Sequence, residues 1–156
     1  MTVRSEDRQW MGRALEEARA ALLEGEVPVG AVIVCDGAEV ACGHNRRESD
    51  RDPTAHAEML VLRKAGERLG RWRLTGCTLY VTLEPCPMCA AAIALARVER
   101  VVFGADDPRL GAVYSVFDLL RHPALGHRVV VDAGVGREEA EALLVQFFSG
   151  LRTRES

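Results

Sequence analysis

Apolar residues recur with a helical period at both ends of the chain. Near the start they repeat every four residues, at Trp10, Ala14, Ala18 and Leu22. This spacing is typical of one face of an amphipathic helix. We predict a first helix that has Ser5 as its N-cap and ends near Gly25. A second pattern of this kind, over residues 138–151, predicts a helix that closes the chain.

Runs of β-branched and other apolar residues, bounded by turn signals, predict five strands. They cover residues 27–35, 39–43, 78–83, 100–104 and 128–132. Asp36 and Gly37 form a two-residue hairpin signal between the first two. Further helices are expected over 54–69 and 86–97, with a short one over 116–120. The order αββαβαβ(α)βα predicts a three-layer α/β/α fold, in which helices cover both faces of a five-stranded mixed sheet.

The composition is that of an ordinary globular domain. The chain has 156 residues, 48% of them hydrophobic and 28% charged, which suits one domain over residues 1–156. No apolar run reaches the roughly 20 residues that span a bilayer. The polar stretch 1–9 is no secretory signal, so we expect no membrane association and a cytoplasmic location.

Charge and cysteine content restrict the function further. Five cysteines in a chain of this kind argue against a disulfide framework. The net charge of −3 argues mildly against nonspecific nucleic-acid binding. A local arginine patch would still suffice for a specific contact.

Two cysteines stand where the third predicted strand gives way to a helix. The strand stops at Pro85, and Cys86 and Cys89 follow, with Pro87 between them. Proline suits the first helical turn, and residues three apart face the same way there, so both thiols are expected on the opening turn. A helix N-terminus lowers the pKa of a thiol, and the thiolate is the form that binds metal. Alone, a Cys-x-x-Cys pair stays ambiguous between a redox pair, half of a zinc site and two buried small residues.

The segment before the second predicted helix favours the zinc site. Its expected cap, Asp52 or Thr54, places His56 and Glu58 on the first turn. One imidazole and two thiolates suit tetrahedral Zn²⁺ with the fourth position open for water, as in catalytic sites. The pattern H-x-E…P-C-x-x-C is the signature of zinc nucleobase deaminases, in which the Glu is not a ligand. We therefore assign His56 and the two cysteines as zinc ligands and Glu58 as the catalytic residue.

Three further places are candidates for substrate contact. Asn45 precedes the His56 helix, and its amide could both donate to and accept from the edge of a base; the alternative is a turn residue. Val29 lies between a proline and a glycine that are unusual at a strand start. Small residues there permit close approach of a ligand to the backbone, and the alternative is an edge or bulge. The backbone around Leu83 and Glu84 is expected to receive a departing amino group.

Several segments together resemble a known family. They read EVPVGAV over 26–32, DPTAHAE over 52–58, TLYVTLEPC over 78–86 and RVVFG over 100–104. In order and spacing, nearly the whole chain resembles the bacterial tRNA adenosine deaminases of the cytidine deaminase-like superfamily. The resemblance implies the cytidine deaminase-like fold, a homodimer, and one Zn²⁺ per subunit with a bound catalytic water or hydroxide.

The resemblance also implies a reaction and its substrate. The reaction is hydrolytic deamination of adenosine to inosine at the wobble position of the tRNA anticodon loop. Asn45 would hold the base, while Phe147, Phe148 and Arg152 would lie near the path of the anticodon loop.

Three positions depart from that family's pattern. Asp106 stands where a basic residue is common, Tyr114 replaces a small residue, and Gly126 precedes His127 where Asn is usual. These positions concern contacts with RNA and leave the chemistry at the metal unaffected.

The expected chemistry uses one carboxylate twice. A zinc-bound water ionises near neutral pH; Glu58 takes up its proton and later protonates the amino group that leaves C6 of adenine. Two other functions stay open. A deaminase of a free base such as guanine or cytosine would share the zinc and Glu58 without needing the aromatic pair near the C-terminus. A zinc-stabilised binding module without activity would have no use for Glu58.

Overall fold

The computed structural model contains the five predicted strands. It describes residues 3–155, with the side chains of residues 3–151. The strands are β1 (Gly30–Cys35), β2 (Ala38–His44), β3 (Cys77–Leu83), β4 (Arg100–Ala105) and β5 (Val130–Ala133). The α-helices of the described part are α1 (Ser5–Leu23), α2 (Ala57–Leu69), α3 (Pro87–Leu95) and α4 (Arg137–Glu155). None of these helices is long and apolar enough to cross a membrane.

The sheet is mixed, as predicted, with the strand order β2-β1-β3-β4-β5. β1 pairs antiparallel with both β2 and β3, whereas β4 pairs parallel with β3 and β5. Parallel strands need a crossover connection, and α3 lies in the one between β3 and β4. The cysteine segment therefore lies at the carboxyl end of β3, where this crossover begins.

Alternate side chains of β1 enter two separate hydrophobic clusters. Ala31 and Ile33 belong to the cluster that includes buried residues of α2 and α3. Val32 and Val34 belong to the cluster that includes residues of α1 and α4. Helices thus cover both faces of the sheet, and the predicted three-layer α/β/α architecture is confirmed.

The start of α1 differs slightly from the prediction. Ser5 is the first helical residue rather than the N-cap, which is Arg4. The reason is the Asp7 carboxylate, which accepts the backbone N–H of Arg4 at 2.6 Å. The N-terminus of the helix is thus capped by an acidic side chain of its own first turn, and acidic residues at this place stabilise helices.

The start of α2 was predicted three residues too early. The helix begins at Ala57, with His56 at the N-cap. Asp52 does not cap it, because its Oδ1 accepts the backbone N–H and the hydroxyl of Thr54 at 2.8 and 2.7 Å. These bonds close a turn before the helix, a role that Asp fills as readily as capping.

The predicted helix over 116–120 is wrong. Backbone N–H groups of this segment share two acceptors, the carbonyls of Gly111 and Ala112, so the regular ladder of an α-helix does not form. A 3-10 helix, Pro123–Leu125, follows instead and ends at Gly126. The φ of Gly126 is 68°, a left-handed conformation that glycine adopts readily and that Asn, the usual residue of the family there, also tolerates.

Candidate active site

Two helix N-termini meet near the carboxyl end of β3. Cys86 is the N-cap of α3, Pro87 is its first residue, and Cys89 lies in its first turn. His56 is the N-cap of α2, and Glu58 lies in the first turn of that helix. His56 and Cys86 are therefore cap residues rather than members of the opening turns predicted for them.

His56, Cys86 and Cys89 form a group that could hold a metal ion. Their ligand atoms all lie within 4.8 Å of one another. Nδ1 of His56 is 3.6 Å from Sγ of Cys86 and 3.5 Å from Sγ of Cys89. In a tetrahedral zinc site with ordinary Zn–N and Zn–S bonds, the nitrogen and each sulfur are about 3.6 Å apart. The three residues therefore fit Zn²⁺, with one coordination position left for water.

The two thiols share hydrogen bonds that make one of them acidic. A hydrogen bond from the Cys89 thiol, opposed by burial and reinforced by His56, lowers the pKa of Cys86 to about 4. The hydrogen bond to Cys86 in turn raises the pKa of Cys89. The pair therefore shares one proton. A divalent cation would displace it, because thiolates are the ligand form of cysteine.

Glu58 lies beside this group without belonging to it. The residue is buried, with 4% of its surface exposed. Burial raises the pKa of Glu58 to about 7, against a backbone hydrogen bond and the charge of His56, which both lower it. A carboxyl group that titrates near neutral pH can accept a proton in one step and donate it in the next.

Asn45 is held by the start of α2. Its Oδ1 accepts the backbone N–H of Ala57 at 2.8 Å. Because that N–H can only donate, the amide oxygen faces the helix, which leaves the amide nitrogen available as a donor. Asn45 also lines the cavity described next. The residue therefore combines a structural contact with a place at the site.

A cavity of about 650 Å³ opens over these residues. Besides Asn45, His56, Glu58 and Cys86, its lining contains the predicted contacts Val29, Leu83 and Glu84. Sites for small molecules usually enclose about 300–1,000 Å³. The cavity therefore has room for one nucleoside and not for a folded RNA loop.

Comparisons with known proteins agree with this geometry. The family model described as the cytidine and deoxycytidylate deaminase zinc-binding region matches residues 4–105. A protein of Bacillus subtilis (strain 168) named tRNA-specific adenosine deaminase is 48% identical over 151 residues, which cover 97% of this chain and 94% of that protein. The chain belongs to the tRNA-specific adenosine deaminase family.

Two solved structures extend the comparison. One comes from biochemical and structural studies of A-to-I editing by tRNA:A34 deaminases at the wobble position of transfer RNA. It has a TM-score of 0.85 and 48% identity, and the match covers 87% of this chain and 99% of that chain. A guanine deaminase from Nitrosomonas europaea has a TM-score of 0.79 and 28% identity, with 95% and 87% covered. The predicted cytidine deaminase-like fold and the zinc-binding character of the domain are confirmed.

α4 brings one of the predicted RNA-contact residues of the family to the cavity. Phe148 lines the cavity together with Leu144. Phe147 packs edge-on against Phe148, with ring centroids 5.3 Å apart, and supports that ring without being among the described lining residues. The side chain of Arg152 lies outside the described residues.

Two of the departures from the family pattern contact each other at the cavity. The hydroxyl of Tyr114 donates to the carboxylate of Asp106. The guanidinium of Arg137, the first residue of α4, lies 3.3 Å from the same carboxylate. The negative charge of Asp106 is therefore balanced locally. Its repulsion of a phosphate backbone is correspondingly reduced.

One wall of the cavity was missed by the sequence analysis. Residues 106–110 line it, in a stretch for which no helix or strand was predicted. The prediction for Glu84 concerned its backbone; its carboxylate accepts hydrogen bonds from the backbone N–H groups of Asp107 in this wall and of Val113 shortly after it. Glu26 acts similarly on the loop before α2, where its carboxylate accepts the N–H of Ser49 at 2.7 Å. No local pattern marks such residues, since their partners lie more than 20 positions away.

Proposed function

We propose that the protein is a zinc-dependent hydrolase that deaminates adenosine to inosine at the wobble position of tRNA. The observation that carries the proposal is a buried carboxyl group, Glu58, beside but outside a His56, Cys86 and Cys89 group that fits Zn²⁺. A structural zinc site has no use for such a carboxyl group. Membership of the tRNA-specific adenosine deaminase family supports adenosine in tRNA as the substrate.

His56, Cys86 and Cys89 would hold one Zn²⁺ per subunit. Zinc with an open fourth position supplies a bound water that is acidic enough to react near neutral pH. Nδ1 of His56 already lies at the distances from the two sulfur atoms that a shared zinc ion requires. The protein therefore needs little rearrangement to bind the ion.

Glu58 would move the protons of the reaction. It would accept a proton from the attacking water and deliver it to N1 of adenine. It would then accept the proton of the hydroxyl group now on C6 and pass it to the amino group, which leaves as ammonia. Burial raises the pKa of this carboxyl group, which favours the uptake of a proton. Its burial excludes bulk water that would otherwise compete for the proton.

The remaining cavity residues would hold the base. Asn45 has only its amide nitrogen free for the cavity, so it would donate to an acceptor atom on the purine. Val29 and Leu83 supply apolar surface to the ring. The backbone at Glu84 remains our candidate for receiving the departing ammonia. The cavity admits one nucleoside, so the adenosine must be extruded from its loop, which costs least in an unpaired anticodon loop.

We further propose that α4 contacts the anticodon loop. Phe148 is partly exposed at the cavity, and exposed aromatic rings stack on unpaired bases. Phe147 packs against Phe148 and would hold it in place. Arg152 follows on the same helix and would contribute a contact with phosphate.

The homodimer remains a proposal, supported by the outer surface of α2 and α3. Leu95, at the end of α3, is 55% exposed, and Trp72, after α2, is 62% exposed. Trp72 lines one surface pocket together with Ala92 and Ala96, and Ala96 follows Leu95 directly in the chain. Burial of this surface against a second copy would remove two large apolar side chains from water. We expect a mass of twice the 17.1 kDa chain in sedimentation, and Leu95→Asp should shift it towards monomer.

We also propose that residues 1–156 act as one deaminase domain, because all five strands belong to one sheet. The location is cytoplasmic, because the substrate tRNA is found there.

The test is inosine formation in a short anticodon stem-loop with adenosine at the wobble position. Ammonia release from free guanine, cytosine and adenosine is measured in parallel, because a guanine deaminase shares the fold. We expect inosine in the RNA and no reaction of the free bases. Activity on a free base alone would overturn the substrate and keep the zinc chemistry. Zinc binding without any turnover would favour the binding module.

A further inference from the structure

Glu84 joins the metal-binding segment to the wall of the cavity. It follows β3 directly and precedes Pro85 and Cys86 in the chain. The residue is only 2% exposed. A buried carboxylate needs hydrogen-bond partners, and those of Glu84 come from a single loop, residues 106–115, which connects β4 to the following segment.

Five donors of this loop surround the carboxylate. Oε1 accepts the backbone N–H of Asp107 at 3.0 Å and the hydroxyl of Ser115. Oε2 accepts three successive backbone N–H groups, those of Val113, Tyr114 and Ser115, at 3.1, 3.0 and 3.0 Å. Successive N–H groups that converge in this way form an anion-binding nest. The nest is filled by a side chain of the protein itself.

The loop is closed tightly around the carboxylate at Gly111. A Cβ atom added to Gly111 would lie 2.4 Å from the carboxyl carbon of Glu84. Two backbone bonds tighten the same enclosure: Gly111 N–H donates to the carbonyl of Asp107 at 2.9 Å, and Ala112 N–H donates to that of Pro85 at 2.8 Å. Only glycine therefore permits this approach of loop and carboxylate.

Residues 106–110 of the same loop form one side of the substrate cavity. We propose that Glu84 is a positioning residue that holds this loop in the shape that binds the substrate. This inference rests on the proposed function for the identity of the substrate. Glu84 acts through the loop, while proton transfer belongs to Glu58. The carboxylate thus couples the cavity wall to the segment that carries Cys86.

The first test replaces Glu84 by glutamine, which keeps the size of the side chain but turns one acceptor into a donor. That new donor faces backbone N–H groups, so the nest loses part of its hydrogen bonding. We expect KM for the anticodon stem-loop to rise about tenfold or more, with kcat changed less than about threefold. One zinc per chain should remain by elemental analysis. The matched control is Glu99→Gln, an exposed position at which neither constant should change.

The second readout needs no substrate. Amide hydrogen exchange of the loop, measured on peptides over 106–117, should speed up in Glu84→Gln while peptides of α2 and β3 stay protected. This result tests the positioning role even if the stem-loop is not the substrate of the wild-type protein. Absence of inosine with the wild type would refute the proposed function, whereas unchanged loop exchange in the variant would refute the role of Glu84.

Two loop variants test the same contact from the other side. Ser115→Ala removes one of the five donors and should raise KM about threefold. Gly111→Ala adds the clashing Cβ and should raise KM as Glu84→Gln does. It also provides an independent test of the contact in the case that Glu84→Gln does not fold. Combined with Glu84→Gln, Ser115→Ala should add less than its separate effect, because both act on one network.

Three outcomes would overturn the proposal. A fall in kcat at unchanged KM would assign Glu84 to the chemistry. Loss of zinc would make it a support of the Cys86 segment instead. Lower stability, with KM and the amide hydrogen exchange of the loop both unchanged, would show that Glu84 contributes to the fold alone.

Discussion

Two groups of polar residues, one fully buried and one partly buried, lie on opposite sides of the sheet, and they differ in how their polar atoms are used. The site cluster consists of His56, Glu58, Cys86 and Cys89. The ion cluster consists of Asp7, Tyr80, Arg100 and Asp132, none of which is more than 3% exposed. Burial alone therefore does not separate a functional group from a structural one.

The members of the ion cluster satisfy one another. Arg100 donates to Asp7 at 2.7 and 2.8 Å and to Asp132 at 2.7 and 3.0 Å. The hydroxyl of Tyr80 donates to Asp7 at 2.7 Å. These bonds connect α1, β3, β4 and β5, and they join residues up to 93 positions apart. Such a saturated network stabilises the fold and offers nothing to a ligand.

The polar atoms of the site cluster point towards one shared position instead of pairing fully with one another. Its imidazole and two thiols converge at 3.5 and 3.6 Å, and they border an open cavity. Ligand atoms that share one side and leave a coordination position open are suited to a catalytic metal. The comparison teaches that convergent ligand atoms beside an open cavity, rather than buried charge, mark the site. The following variants test this difference, from the largest expected effect to the smallest.

Removal of a ligand should have the largest effect. We expect His56→Ala to bind zinc at least about a hundredfold more weakly, since even partners of ligands cost 10- to 100-fold when removed. Elemental analysis after dialysis should find far less than one zinc per chain, and deamination should fall to background. His122→Ala, an exposed histidine, is the control and should keep both. Full zinc retention in His56→Ala would refute the ligand assignment.

Removal of the proton carrier comes next. Glu58→Ala should lose activity by about a thousandfold or more, because general acid–base catalysis contributes about 10²–10⁴-fold per proton transfer. Zinc content and the melting temperature should stay near those of the wild type. Glu67→Ala, exposed on the same helix, should retain full activity. The mechanism is wrong if Glu58→Ala still turns over substrate at a comparable rate.

A substitution in the ion cluster should lower the stability of the protein and leave its catalytic constants unchanged. Asp7→Ala leaves Arg100 with one of its two carboxylates and Tyr80 without its acceptor. We expect the free energy of unfolding to fall by about 3 kcal/mol, as measured by urea denaturation. kcat and KM per folded enzyme should stay within about twofold. Glu6→Ala, an exposed neighbour in the same turn, should change stability by less than about 0.5 kcal/mol.

Acid should weaken the ion cluster by a smaller amount. Burial raises the pKa of Asp7, but hydrogen bonds from Arg100, Arg4 and Tyr80 outweigh it and lower that pKa to about 2. A carboxyl group whose pKa is lower in the folded than in the unfolded state stabilises the fold above its unfolded pKa of about 3.9. We expect roughly 2 kcal/mol of stability to be lost between about pH 5 and pH 2. Asp7→Asn should lose less over this range, and an equal loss would contradict the assignment.

The segment from β3 to α3 could be predicted because its signals are local. Pro85 ends the strand and Pro87 begins the helix, so Cys89 lies in the first turn as predicted, and Cys86 differs only in being the N-cap. The start of α2 could not be predicted in this way. Asp52 has the chemistry of a cap, but it closes a turn, and the amide of Asn45 receives the N–H of Ala57 from 12 positions upstream.

The failed helix over 116–120 has a similar cause. Its apolar residues have an acceptable pattern, but the N–H groups just before it donate to Glu84, about 30 positions earlier in the chain. The remaining N–H groups then share acceptors in turns. Local propensity was overridden by a contact that no window of neighbouring residues contains.

The sequence by itself determined the candidate ligand set, the class of chemistry, and the order of the five strands and the four α-helices in this protein. These depend on residue type and on spacings of a few positions, which periodicity and capping rules describe. Only the tertiary structure decided the roles of three buried carboxyl groups. Asp7 belongs to a saturated ion network, Glu84 fills a nest of backbone N–H groups, and Glu58 borders the cavity beside the group that fits Zn²⁺. The reason is physical: a carboxylate takes its role from its partners, and here those partners come from distant parts of the chain.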